Sequence, residues 1–65
     1  MPIITASILA GRNQTEKSAF IREVTDAAVR TLGVEPQQVR VLIQEIDPAH
    51  WGVAGVSKAD QESKS

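Results

Sequence analysis

The chain opens on an alternation. From Pro2 to Leu9, Ile4, Ala6 and Ile8 fall on one side and Ile3, Thr5, Ser7 and Leu9 on the other, at the period of two that marks a strand. The second side is mixed rather than charged, which suits burial against another subunit. Proline is tolerated at the head because the first strand position needs no ladder donor. The period changes after "AGRN". Asn13 followed by Glu16 has the spacing of a helix N-cap box. Phe20, Ile21, Val24, Ala28 and Leu32 then recur three and four residues apart. This predicts a helix over 14–32, with Phe20 in the core and Lys17, Arg22, Glu23 and Arg30 mostly on the solvent side. Gly33 suits the left-handed position that ends a helix, and Pro36 keeps it from resuming. "VRVLIQEI", residues 39–46, is rich in β-branched side chains and predicts a second strand. Beyond Pro48, "WGVAGV" predicts a short hairpin over 50–56. Residues 57–65 are polar, lack an apolar period and read as a tail, mobile or draped over a neighbour.

Strand, helix and strand make one β-α-β unit, a single α+β domain over 1–65. An eight-residue strand spans about 27 Å and a 19-residue helix about 28 Å, so the lengths match. The strands are expected to be parallel with a right-handed crossover. One helix covers one sheet face, yet parallel sheets normally have both faces covered, and here both edges stay open. Composition leads to the same place. A chain of 65 residues buries only about 60% of its unfolded surface, and small folds add a disulfide, a metal or partner subunits. There is no cysteine, which excludes disulfides, thiolate metal sites and a thiol nucleophile. A single histidine cannot assemble a zinc site. Assembly from identical chains remains.

The formal net charge is −1 with Lys and Arg scattered, and Phe20 and Trp51 are the aromatic residues. That lacks the basic stripe of a nucleic-acid binder. No apolar run approaches the roughly 20 residues of a membrane span, and the start lacks the basic head of a signal peptide. The expected location is cytoplasmic.

Candidate chemistry begins at Pro2, because removal of Met1 would expose a secondary amine, a base that no side chain supplies. In a parallel unit Pro2 and Arg40 lie at one end, while Arg12 lies past the other end of the first strand, about 27 Å away. One chain cannot bring Pro2 and Arg12 together. Antiparallel edge-to-edge pairing of two first strands would, making a shared site. His50 is a lone turn histidine that reads as structural or solvated rather than as a general base. Trp51 reads as a pocket or interface wall.

"PIITASILAGR", the N-cap and "EK" after it, "IREVTDAAVRTLG", "VRVLIQEI" and "HWGVAG" together resemble the 4-oxalocrotonate tautomerase (2-hydroxymuconate tautomerase) family from Pro2 to about Gly55. The resemblance implies a β-α-β fold completed by oligomerisation, most simply as a homohexamer, a trimer of dimers. It implies keto-enol tautomerisation of 2-hydroxydienoate acids such as 2-hydroxymuconate in aromatic hydrocarbon catabolism. Pro2, freed of Met1, would be general base and acid. Arg12 would hold the distal carboxylate, and Arg40 the 2-hydroxy or 2-oxo oxygen with the adjoining carboxylate, both reaching in from neighbouring chains. Leu9 would line the pocket through its backbone, and Trp51 would stand where the family usually has phenylalanine, adding bulk and an indole N–H.

Elementary chemistry fits those roles. A dienol dicarboxylate carries two negative charges, and a guanidinium grips a carboxylate with two parallel hydrogen bonds. A fixed cation at the enolate oxygen stabilises the charge that builds there, typically by about 3–4 kcal/mol. An ordinary α-amino group has a pKa of about 8; nearby cations and an apolar wall disfavour its charged form, which brings it toward neutrality. The reaction needs neither metal nor organic cofactor. Two alternatives stay open. One is dehalogenation or decarboxylation of small unsaturated acids, although the position near Val53 where a water-activating carboxylate is sought is apolar. The other is a non-catalytic oligomeric binding protein that retains Met1.

Overall fold

Alternation and periodicity resolve into elements close to where they predict them. The computed structural model describes residues 1–63. In chain order it comprises β1 (Ile3–Leu9), α1 (Gln14–Leu32), a 3-10 turn (Pro36–Gln38), β2 (Arg40–Ile46), a second 3-10 turn (Pro48–His50), β3 (Gly52–Val53), β4 (Val56–Ser57) and α2 (Lys58–Ser63). β1 and β2 pair in parallel, in register from Ile3 opposite Arg40 to Leu9 opposite Ile46. β3 and β4 form a separate antiparallel hairpin.

α1 begins as the Asn13 spacing requires. The Glu16 N–H donates to Asn13 Oδ1 at 2.8 Å, and the Asn13 N–H donates to Glu16 Oε1 at 3.3 Å. Two of the helix's orphan donors are thereby satisfied. The helix ends at Gly33, whose φ of 69° lies where a side chain would be strained. Its N–H closes the last turn on Val29 at 3.1 Å.

Two expectations for α1 are corrected. Lys17 is not on the solvent side: it reaches under the helix to Glu45 of β2, with Nζ 2.5 Å from Oε1. The parallel register places Glu45 opposite Ile8, on the covered face, so a carboxylate under the helix needs a cation there. Phe20 is not core but 42% exposed. It stands at the margin of the helix–sheet contact, where it lines a cleft with Ile8, Arg12 and Ile43.

The polar run read as a tail is also more ordered than expected up to residue 63. Val56 and Ser57 close the hairpin, and Lys58–Ser63 form α2. The Lys58 N–H donates to the Trp51 carbonyl at 2.7 Å, and the Asp60 N–H donates to Ser57 Oγ at 3.1 Å. A helix of six residues is too short to declare itself by periodicity. The rest of the expected tail, 64–65, lies outside the described residues. Between β3 and β4 the turn passes through Ala54 at φ 54° and Gly55 at φ 84°, the paired positive angles of a tight hairpin turn.

The fold leaves a great deal uncovered. Among the described residues the buried apolar side chains are Ala28 and Val39, whereas Ile3 is 66% and Leu42 is 53% exposed. The accessible surface is 4800 Å², against about 4,000 Å² for a compact monomer of this mass. The radius of gyration is 15.3 Å, against about 11 Å for a compact chain of this length. The molecule is a plate with extents of 47 × 24 × 14 Å, helix on one side and bare sheet on the other. Among the described residues no helix is long and apolar enough to cross a membrane.

Candidate active site

The parallel ladder sets where each candidate residue stands. At the starting end of the strands the Arg40 N–H donates to the Pro2 carbonyl at 3.0 Å, so these two residues are tied through their backbones. Their side chains diverge. Arg40 is paired with Ile3 and shares the open face with it, while Pro2 follows the alternation of Ile4 on the covered face. The Arg40 guanidinium turns to the preceding loop, where Nη1 donates to the Gln37 carbonyl at 2.6 Å. Pro2 is half-buried and Met1 projects outward, 76% exposed.

The other candidates collect at the far end of β1. Gly11, with φ 134°, lets the chain swing sharply after Ala10 in a conformation that L residues rarely adopt. No atom would meet a Cβ there, so the glycine serves the backbone path and not a close approach. The swing places Arg12 beside α1, with Nη1 3.7 Å from Glu16 Oε2. That pair is solvent-exposed and weak, which leaves the guanidinium available to an incoming anion.

Leu9, Arg12 and Trp51 line one cleft of about 370 Å³ together with Ser7, Ala10 and Gly11. Trp51 is fixed there by its backbone. Its N–H donates to the Pro48 carbonyl at 3.3 Å, and its carbonyl accepts from Lys58. On the other side of Arg12 lies the apolar cleft under Phe20. His50 is exposed and contributes to neither cleft. Val53, at the tip of the hairpin, is 52% exposed and offers no group to activate water.

One chain thus carries two groups of candidate residues at opposite ends of a strand: Pro2 with Arg40, and Leu9 with Arg12 and Trp51. Sequence reasoning did not single out Ser7, whose Oγ lies 3.4 Å from Gln44 Oε1 and which lines the cleft beside Arg12, or the Gln37 carbonyl that accepts from Arg40. The in-register pairing of Ser7 with Gln44 follows from aligning the two strands and was legible in principle.

The site thus rests on a lone β-α-β plate whose first strand ends in a cleft holding Arg12 and whose sheet is bare on one face. Residues 2–61 match the tautomerase enzyme family. A probable tautomerase from Ralstonia nicotianae is 51% identical over 59 residues, covering 91% of this chain and 84% of its own. The fold superposes on a 4-oxalocrotonate tautomerase isozyme from Methylibium petroleiphilum with a TM-score of 0.93 and 41% identity, covering 98% of this chain and all of that one. It superposes on a heterohexameric 4-oxalocrotonate tautomerase from Chloroflexus aurantiacus with a TM-score of 0.87 and 35% identity, over 92% of this chain and 97% of that one. The chain belongs to the tautomerase family, and its enzyme class is isomerase.

Proposed function

We propose that this tautomerase converts 2-hydroxydienoate acids, 2-hydroxymuconate among them, to the conjugated 2-oxo-enoate isomers. Pro2, freed of Met1, is the base and acid. Its nitrogen takes the proton from the 2-hydroxyl group and returns one to the terminal carbon of the diene. The O–H bond breaks, a carbonyl forms, the remaining double bond shifts by one position and a C–H bond is made. No atom is gained or lost. Arg40 faces the enolate oxygen and the adjoining carboxylate. Arg12 holds the distal carboxylate, and the Leu9 backbone and Trp51 wall the chain between them.

The observation that carries this reading is the division of the basic residues between the two ends of β1. A diacid needs a cation at each of its ends and a base between them. Two copies whose β1 edges pair antiparallel bring the Pro2 end of one chain to the Arg12 end of the other. The divergence of Arg40 from its own Pro2 leaves its guanidinium to serve a neighbouring chain. The bare sheet face, with Ile3 and Leu42 exposed, gives those dimers a surface on which to close into a homohexamer. The C. aurantiacus relative, a heterohexamer, supports that stoichiometry. The setting is cytoplasmic catabolism of aromatic compounds.

The test is ketonisation of 2-hydroxymuconate followed by absorbance, for the parent and for Pro2→Ala, alongside the intact mass of the native protein. The mass is expected to lack Met1, because the exposed methionine precedes a proline and an acylated proline nitrogen has no basicity. Pro2→Ala keeps an amine but moves its position and basicity, and is expected to lower kcat about 100-fold with the circular dichroism spectrum unchanged. Retained Met1 in an active enzyme, or parental turnover in Pro2→Ala, would place the base elsewhere.

A further inference from the structure

We infer that Gln38 is a positioning residue for Arg40, acting through the turn that precedes β2; the inference rests on the role proposed for Arg40. A guanidinium on four rotatable bonds is a poor electrostatic device unless something fixes it, because a donor aimed at developing charge helps only when it is already in place. Among the described residues the fixing contact for Arg40 runs from Nη1 to the Gln37 carbonyl at 2.6 Å, and a charge-assisted hydrogen bond of that length is a strong one.

That carbonyl is available for a specific reason. In the turn Pro36–Gln38 the backbone closes successive rings, from the Gln38 N–H to Glu35 at 2.9 Å and from the Val39 N–H to Pro36 at 3.1 Å. The next ring would take the Arg40 N–H to Gln37. That N–H instead donates to Pro2 at 3.0 Å, because Arg40 has already entered the parallel ladder. The Gln37 carbonyl therefore faces outward at the junction of turn and strand, and the guanidinium of Arg40 folds back onto it. One departure from regular geometry thus ties Arg40 to Pro2 and frees the acceptor that holds the Arg40 side chain.

The direction of the Gln37 carbonyl depends on the turn keeping its shape. A single 3-10 turn is weak by itself. Pro36 fixes the first φ, and Gln38 locks the other end, its Oε1 accepting the Glu35 N–H at 2.9 Å. This is the reach-back half of a capping box, placed on a turn just long enough to hold it. Gln38 does not touch the substrate. It holds the turn, the turn aims the carbonyl, and the carbonyl holds Arg40.

The experiment is a double-mutant cycle read by ketonisation kinetics. Gln38→Met keeps the length of the side chain and removes the acceptor; Gln38→Glu keeps the acceptor. Gln38→Met is expected to lower kcat/KM about tenfold, the size of effect one hydrogen bond supports, with most of the loss in kcat. Gln38→Glu is expected to restore it. Gln38→Met combined with Arg40→Ala is expected to be no slower than Arg40→Ala alone. If Arg40→Ala is impaired while Gln38→Met matches the parent, or if the two losses multiply, Gln38 does not act through Arg40 and the inference is overturned. If Arg40→Ala itself matches the parent, the proposed role of Arg40 fails first, a result that the single variant identifies by itself.

Discussion

Pro2 and Arg12 stand at opposite ends of β1, one before its first residue and the other beyond its last, separated by a seven-residue strand that rises about 23 Å. No rotamer of either residue bridges that distance. If both serve one substrate, they do so from different chains, and two impaired variants can repair each other. Chains carrying Pro2→Ala and chains carrying Arg12→Ala, unfolded together and reassembled, form hybrid dimers with one intact site and one doubly damaged site. Random pairing is expected to recover about a quarter of parental activity. Activity no higher than the mean of the separate variants would mean that each site is built within one chain.

The role proposed for Arg12 also predicts discrimination by charge. The only ionic neighbour of Arg12 is Glu16 across an exposed 3.7 Å contact among the described residues, so a carboxylate arriving in the cleft meets little competition. A hydrogen-bonded charge contact is typically worth about 1.5–3 kcal/mol. Arg12→Ala is therefore expected to lower kcat/KM by about tenfold to a hundredfold for a dicarboxylate and far less for a monocarboxylate enol of similar length. Parallel steady-state measurements on the two substrates check this, and equal losses would remove Arg12 from the distal carboxylate.

The open face of the sheet makes a prediction about assembly. Leu42 is 53% exposed and lies opposite Thr5 on that face. Burying a leucine contributes about 1.5–3 kcal/mol, and burying an unpaired charge in its place is strongly unfavourable. Leu42→Asp is expected to shift the sedimentation coefficient to a smaller species and to lower specific activity in step with it. Arg22→Asp, on the exposed side of α1, serves as the control that leaves both unchanged.

Ala54 sits at φ 54° in the hairpin turn. The left-handed region costs an L residue roughly 1–2 kcal/mol, and asparagine, whose side chain hydrogen-bonds locally, visits it more readily than alanine. Ala54→Asn is expected to raise the unfolding free energy by about 1 kcal/mol, and Ala54→Val to lower it. Denaturant unfolding at fixed protein concentration measures both, since the stability of an assembly depends on the concentration of its chains.

Which features could be read from the sequence follows the range of the interactions involved. The α1 start was legible because Asn13 and Glu16 satisfy each other within one turn, and its end because Gly33 is a local conformational need. The parallel pairing was legible from matching lengths. Lys17 was misplaced because a charged residue at a helical position defaults to solvent. What moves it inward is Glu45, 28 residues on, brought opposite Ile8 by the register. Phe20 was misplaced because periodicity gives the direction of a side chain but not the width of the layer beneath it, and one two-stranded sheet is too narrow to cover a phenylalanine. The contact between Arg40 and the Gln37 carbonyl was not legible: Pro36 read as a helix stop, and the contact depends on the Arg40 N–H leaving the turn for another strand.

A plate 14 Å thick has room for one helix layer over one sheet layer and nothing more. Each position is then within a side chain's reach of an outer surface, and the same few dozen residues must encode interior, seam and reaction chamber together. In the proposed assembly of identical copies, one altered codon is repeated at every equivalent seam. Evolutionary change in such an enzyme is expected to gather where a residue serves a single purpose, at the rim formed by Ser7 and Trp51, while residues that face two neighbours at once stay as they are.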